Sequence, residues 1–397
     1  MTRKVSLAVV IVTVMVALTL VPVFAQDEFV FGMVFVGPEN DRGWSQAQYE
    51  GGQYIEQNLP GSRMVFFPSL NTADNPETTL MDVAQNMVDE GAKVIFTTSD
   101  AFEEDTDAVA EAVPDVVFIN TSGDNVLTGE APANVGNVMG QMEWGKLIAG
   151  CAAGLTTETG KIGYLGPLIN GETRRFAASA YLGARYCYGL KGGNPDDLQF
   201  TVTWIGFWFN IPGVTLDPTE EVNTLYDTGA DVVLSGIDTA QAIEIAGQRV
   251  ANGERVWAIP YDFVGSCDIA PDACLGVPFF HWGPAYLAVA QAVQDGSWSP
   301  SWDWVSPDWA DINSDQSIVG FLQGAGLSDE NKAALNGVIA DLAGYATNPF
   351  VPDSFALWAG PLNLQDGTEL AAAGQLVDPL DVWYLPQLLQ GMVGASE

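Results

Sequence analysis

The residues of this chain that could do chemistry fall just behind short apolar runs. Behind FVFGMVFV (29–36) come Asp41, Trp44, Ser45 and Gln46, a carboxylate, an aromatic plane, a hydroxyl and an amide within six positions. Behind KVIFTT (93–98) come Ser99, Asp100 and Phe102, and behind QFTVTWIG (199–206) come Phe207, Trp208 and Asn210. DVVLSG (231–236) ends at Gly236 and leads to Asp238, RVWAIPYD (255–262) ends in Tyr261 and Asp262, and LGVPFF (275–280) is followed by His281 and Trp282. Carboxylates and amides read a polar edge while aromatic rings cover a flat face, so this set suits the holding of a planar solute. Asp41 and Asp238 also stand where helix N-caps belong, and Trp44, Trp208 and His281 also suit a core.

Bond-breaking chemistry finds little support. The one histidine, His281, precedes Trp282, and no G-x-S-x-G occurs, which disfavours Ser-His-Asp and Cys-His catalysis. No G-x-G-x-x-G and no P-loop is present, so neither a dinucleotide nor a nucleotide cofactor has a motif behind it. With no C-x-x-C, a zinc site lacks its usual spacing. No cofactor, metal or enzymatic activity is expected.

The apolar runs alternate with longer amphipathic stretches, the βαβ rhythm of a mostly parallel sheet covered by helices. Runs at 29–36, 63–67, 93–98 and 115–120 form a first series. After a helix over Glu143 to Leu155 the rhythm restarts at KIGYLG (161–166) and runs through 199–206, 231–236 and 255–262. The pattern is that of an α/β protein with two Rossmann-like halves. Beyond Cys274 come a late strand, a helix through Tyr286, a Trp-rich loop (Trp298, Trp302, Trp304, Trp309) and a helix from Ser328 to Leu342. This region reads as crossings between the halves plus packing for the second. In open parallel sheets ligands bind beyond the carboxyl ends of the strands, where the residues above are found.

The first 25 residues, Arg3 and Lys4 followed by an apolar run ending at Val23-Phe24-Ala25, read as a secretory leader with no lipid-modified Cys behind it. The mature protein is expected to be periplasmic or extracellular, and a monomer. Fifty Asp plus Glu against fourteen Lys plus Arg give a formal charge of −36, which disfavours nucleic acid and anionic lipid as partners. Four Cys in an exported chain imply disulfides. One of the three possible connectivities joins Cys267 to Cys274 and leaves Cys151 with Cys187, and the sequence alone leaves all three open.

Taken in order along the mature chain, these motifs resemble the basic membrane protein family of solute-binding proteins for ABC importers, which includes purine nucleoside receptors. The family's opening motif, D-K-S-F-N-Q with an acidic-glycine pair behind it, is matched by Asp41-Arg42-Gly43-Trp44-Ser45-Gln46 and Glu50-Gly51. The resemblance implies that Asp41 contacts ligand and Trp44 stacks on it, with Ser45 in place of the family's Asn. GKIGYLGPLINGETRRFAASAYLGAR (160–185), GADVVLSGIDTAQAIEIAGQR (229–249) and VWAIPYD (256–262) resemble later family segments, the last carrying over Asp262 as a ribose or base contact. His281-Trp282-Gly283-Pro284 stands where nucleoside receptors tend to place a Lys. The family likeness also implies a type I periplasmic-binding-protein fold: two lobes, 26–142 plus 276–311 and 143–275 plus 312–397, joined by three crossing segments. It implies a purine nucleoside, nucleobase or similar heterocycle in the cleft and an inner-membrane permease as partner. A cation in an aromatic cage of Trp44, Trp208 and Trp282, balanced by Asp41 or Asp262, and a secreted sensor domain are the alternatives.

Overall fold

The computed structural model describes residues 28–351 and 355–397; the expected leader lies outside the described residues. Strands β1 (Phe29–Phe35), β2 (Ser62–Phe67), β3 (Ala92–Thr98), β4 (Val117–Asn120) and β5 (Val135–Gly140) form a parallel sheet in the order 2-1-3-4-5. Every residue of β1 is buried, because helices cover both faces of a parallel sheet, and this is why its sequence is an unbroken apolar run. A second parallel sheet holds β6 (Lys161–Gly166), β7 (Gln199–Trp204), β8 (Val232–Ser235) and β9 (Trp257–Ile259) in the order 7-6-8-9.

Later chain returns to both sheets. β10 (Gly276–Phe280) pairs antiparallel with β12 (Val319–Gln323), and between them β11 (Trp302–Val305) joins the first sheet parallel to β5. The stretch expected to be a Trp-rich loop therefore supplies a sheet edge: two of its indoles, Trp302 and Trp304, are half-buried against Trp383 at 4.9 and 5.0 Å between ring centroids. After a small hairpin of β13 (Leu362–Asn363) and β14 (Glu369–Ala371), β15 (Met392–Val393) completes the second sheet beside β7. Among the described residues no helix is long and apolar enough to cross a membrane.

The second lobe is organised by two helices, Met142–Thr156 and Gly171–Leu190. Their backbones touch through small residues: a Cβ added at Gly150 would stand 1.9 Å from the Ala180 carbonyl oxygen, and one at Gly183 would stand 2.0 Å from that of Leu147. A Cys151–Cys187 disulfide ties the same two helices, and a Cys267–Cys274 disulfide closes the short loop before β10. The first spans 36 residues, long enough for its removal to enlarge the unfolded ensemble appreciably. The double variant Cys151→Ala/Cys187→Ala is expected to lose about 2–4 kcal/mol of unfolding free energy in denaturant titration. A loss below about 1 kcal/mol would show that packing of the two helices already does the work of the bond.

Candidate ligand-binding site

All strands of each parallel sheet end on the same side, and the loops behind both sets of ends converge on one narrow, partly open cavity, with ≈ 400 Å³ free of protein atoms when the solvent at its mouth is included. The first lobe supplies Trp44, Ser99, Asp100 and Ser122, and the second supplies Tyr164, Glu172, Thr173, Phe176, Trp208, Gly236, Asp238 and Tyr261. Of the two indoles expected to cover a flat solute, Trp44 thus borders the gap from one lobe and Trp208 from the other. The lobes are in contact around it. A Cβ on Gly43 would stand 1.6 Å from the Asp238 carbonyl oxygen, so only glycine admits this approach. Asn170 Nδ2 donates to Asp100 Oδ2 at 3.0 Å, Ser266 Oγ to the Arg42 carbonyl at 2.9 Å, and Ser122 Oγ to Glu172 Oε2.

The Trp44 indole is fixed from behind. Trp44 Nε1 donates to the Thr98 carbonyl at 2.7 Å, and Phe280 and Trp282 meet its ring edge-on at 5.5 and 5.4 Å. The Trp208 carbonyl accepts the Asp238 amide at 3.0 Å, while the buried Trp208 Nε1 has no acceptor among the described residues. Glu172 is backed by Arg175, whose Nε donates to Glu143 Oε1 at 2.6 Å and whose guanidinium lies 4.0 Å from the Trp383 ring centroid.

Several expected contacts lie elsewhere. The Asp41 carboxylate accepts the amides of Gly43, Ser45 and Gln46 at 2.9–3.0 Å and so serves the start of helix Trp44–Asn58, where unpaired N–H groups need an acceptor. Ser45 Oγ accepts the Gly37 amide at 3.0 Å, and Gln46 hydrogen-bonds Arg42 and Glu50, so neither side chain is on the wall. Phe102 and Phe207 border a separate hollow on the first lobe. His281 is half-buried against Tyr54, ring centroids 5.2 Å apart. Trp282 is fully buried behind Trp44, stacked on Phe280 and Tyr286, so the cage of Trp44, Trp208 and Trp282 is not assembled. Asp262 is fully buried with both carboxylate oxygens unpartnered among the described residues, one position from the wall residue Tyr261.

Ser122, Glu172, Thr173 and Phe176 were missed although the strand-end rule reaches them, through the end of β4 and the helix after β6; the Asn170–Thr173 capping box marks that helix start. Tyr164 lies inside β6, where no rule of spacing points.

The wall is acidic. Burial, reinforced by Glu172, pushes the Asp100 carboxyl up to about 7, and burial pushes Asp41 to about 6 against the three amides it accepts. Asp238 and Asp262 are raised well above the usual carboxylate range, by burial first and, for Asp238, by the neighbouring Asp262 next. The balancing cation is Lys146: its Nζ donates to the Ser235 carbonyl at 2.9 Å and lies 3.1 Å from the Tyr261 ring centroid, and burial lowers it to about 7 despite Asp262.

Two lobes with the loops of both sheets around one lined cavity are the arrangement of a type I solute-binding fold. The family model for PnrA-like ABC transporter substrate-binding proteins matches residues 29–299, and the chain belongs to that family, whose members bind solutes and are not enzymes. Such proteins act outside the cytoplasm and deliver small ligands to a membrane permease. A purine-binding protein of Brucella abortus is 26% identical over 356 residues, covering 89% of this chain and 90% of the relative. A putative ABC transporter glucose-binding protein of Haloferax volcanii is 26% identical over 327 residues, 82% of this chain and 73% of the relative. A solute-binding protein structure from Conexibacter woesei superposes with a TM-score of 0.58 at 19% identity, covering 82% of this chain and 99% of that one, and shares the type I periplasmic-binding-protein fold.

Asp100 gives a pH prediction. Its carboxyl ionises near 4 in the unfolded chain and near 7 in the folded protein, so between those values the folded state holds a proton that the unfolded chain has released. The stability contributed by the neutral acid is complete below pH 4 and is lost as pH rises to 7. Asp100→Asn is expected to flatten the melting temperature against pH between about 4 and 7 and to melt above the parent at about pH 8; a variant melting below it there contradicts the assignment.

Proposed function

We propose that this protein binds a purine base, a purine nucleoside or a similar flat heterocycle between its lobes for uptake through an ABC permease. The observation that carries this reading is the pair of indoles, Trp44 from one lobe and Trp208 from the other, on the wall of one cavity. Apolar rings bury a flat solute's faces, and offset or edge contacts add about 0.5–1.5 kcal/mol each beyond that burial. Ser99, Asp100, Ser122, Glu172, Thr173 and Asp238 are then available to the solute's polar rim. The purine-binding relative from Brucella abortus supports the ligand class. Asp41 and Asp262, which the resemblance makes ligand contacts, act from behind the wall in this reading, Asp41 by holding the Trp44 helix start.

The acidic lining also favours a second reading, a cationic ligand held by Trp44, Trp208 and Tyr261 against Asp100 and Asp238. Thermal unfolding separates the two. A purine at about 100 times its dissociation constant adds about 2.7 kcal/mol to stability, and a quaternary amine adds nothing; the reverse outcome transfers the assignment to the cation. Trp44→Ala and Trp208→Ala are each expected to weaken purine binding by roughly tenfold or more in calorimetry. Unchanged affinity in both variants rejects the sandwich.

A further inference from the structure

The loop that carries Trp208 reaches farther than ligand contact requires. Its base belongs to the second lobe: the Gly206 amide donates to the Pro167 carbonyl and the Leu216 amide to that of Ile205, each at 2.9 Å. Its tip leans on the first lobe. Phe207 borders the hollow built by Val36, Leu70, Leu80, Phe102 and Val109, and Phe209 packs against a core cluster made mostly of first-lobe residues that also includes Phe176 and Tyr261 of the second lobe. The rings of Phe207 and Phe209 meet edge to face at 5.1 Å. Trp208, between them in sequence, borders the ligand cavity instead. Phe207 and Trp208 thus border different hollows although they are neighbours in a bent stretch of chain.

We propose that Phe207 is a positioning residue that seats on the opposite lobe across the mouth of the cleft, latches the lobes shut and holds Trp208 against the bound solute. Parting the lobes returns the Phe207 and Phe209 faces to water and draws Trp208 off the ligand in the same movement, so escape of the solute is opposed by apolar area that the solute never touches. Entry into open lobes does not involve this contact. The latch therefore slows dissociation, and because it also holds part of the ligand-free protein shut it does not speed association. Its effect on bound solute rests on the reading of Trp208 as a ligand contact, and the experiment separates the two.

Phe207→Ala, Phe207→Leu and Trp208→Ala are compared with the parent in stopped-flow release of adenosine and, without ligand, by small-angle X-ray scattering. Phe207→Ala is expected to release adenosine roughly tenfold faster, to associate no more slowly than the parent, and to show a larger radius of gyration without ligand. Phe207→Leu keeps an apolar side chain in a loop of unaltered backbone and falls between parent and Ala in both readouts. Release and scattering of Phe207→Ala equal to the parent's overturn the latch, as does a Leu variant that behaves worse than Ala. Should Trp208→Ala hold adenosine as the parent does, the ligand sandwich fails while the latch stands or falls on scattering. The scattering comparison decides equally where adenosine does not bind.

Discussion

Parallel pairing is the constraint on which this site depends. When all strands of a sheet run one way, their carboxyl ends and the loops behind them share one rim, and two such sheets set rim to rim enclose a space lined from both. Trp44, Asp100 and Ser122 reach that space because they come after β1, β3 and β4; Trp208, Asp238 and Tyr261 reach it because they come after β7, β8 and β9. The close approach of Gly43 to the Asp238 carbonyl measures how fully the rims have met.

That meeting has an electrostatic cost, visible in the ionisation of the wall. Asp41 and Asp100 arrive from one lobe and Glu172, Asp238 and Asp262 from the other, and burial leaves water unable to separate their charges. Lys146 and Arg175 offset part of this from behind, Arg175 through a buried pair with Glu143. Closure thus crowds carboxyl groups together, and hydrogen-bond donors brought between the lobes offset that crowding.

The sheets were legible in the sequence because strands buried on both faces read as continuous apolar runs; β1, β6 and β8 fall within the expected segments and β3 begins one residue ahead of its own. β11 was not legible, since its residues Trp302-Asp303-Trp304-Val305 lie at an edge, partly exposed, and carry no such run. For the site, position after a strand was readable and direction was not. Trp208 and Phe207 are neighbours that face different surfaces, and Phe102 turns from the cavity while Asp100, two positions earlier, enters it. Asp41 shows the same limit: a carboxylate just ahead of a helix start satisfies backbone amides as readily as a ligand, and the family motif does not distinguish the two tasks.

The first sheet is completed by β11, which pairs with β5 although the entire second sheet apart from β15 is encoded between them. A nascent chain that has not yet released β11 therefore has β5 as a bare edge, its N–H and C=O groups open to any extended segment. The excess of carboxylates over basic groups, fifty against fourteen, discourages two such chains from joining. Long-range closure of this kind slows folding, since loops of such length must close before the pairing rewards them.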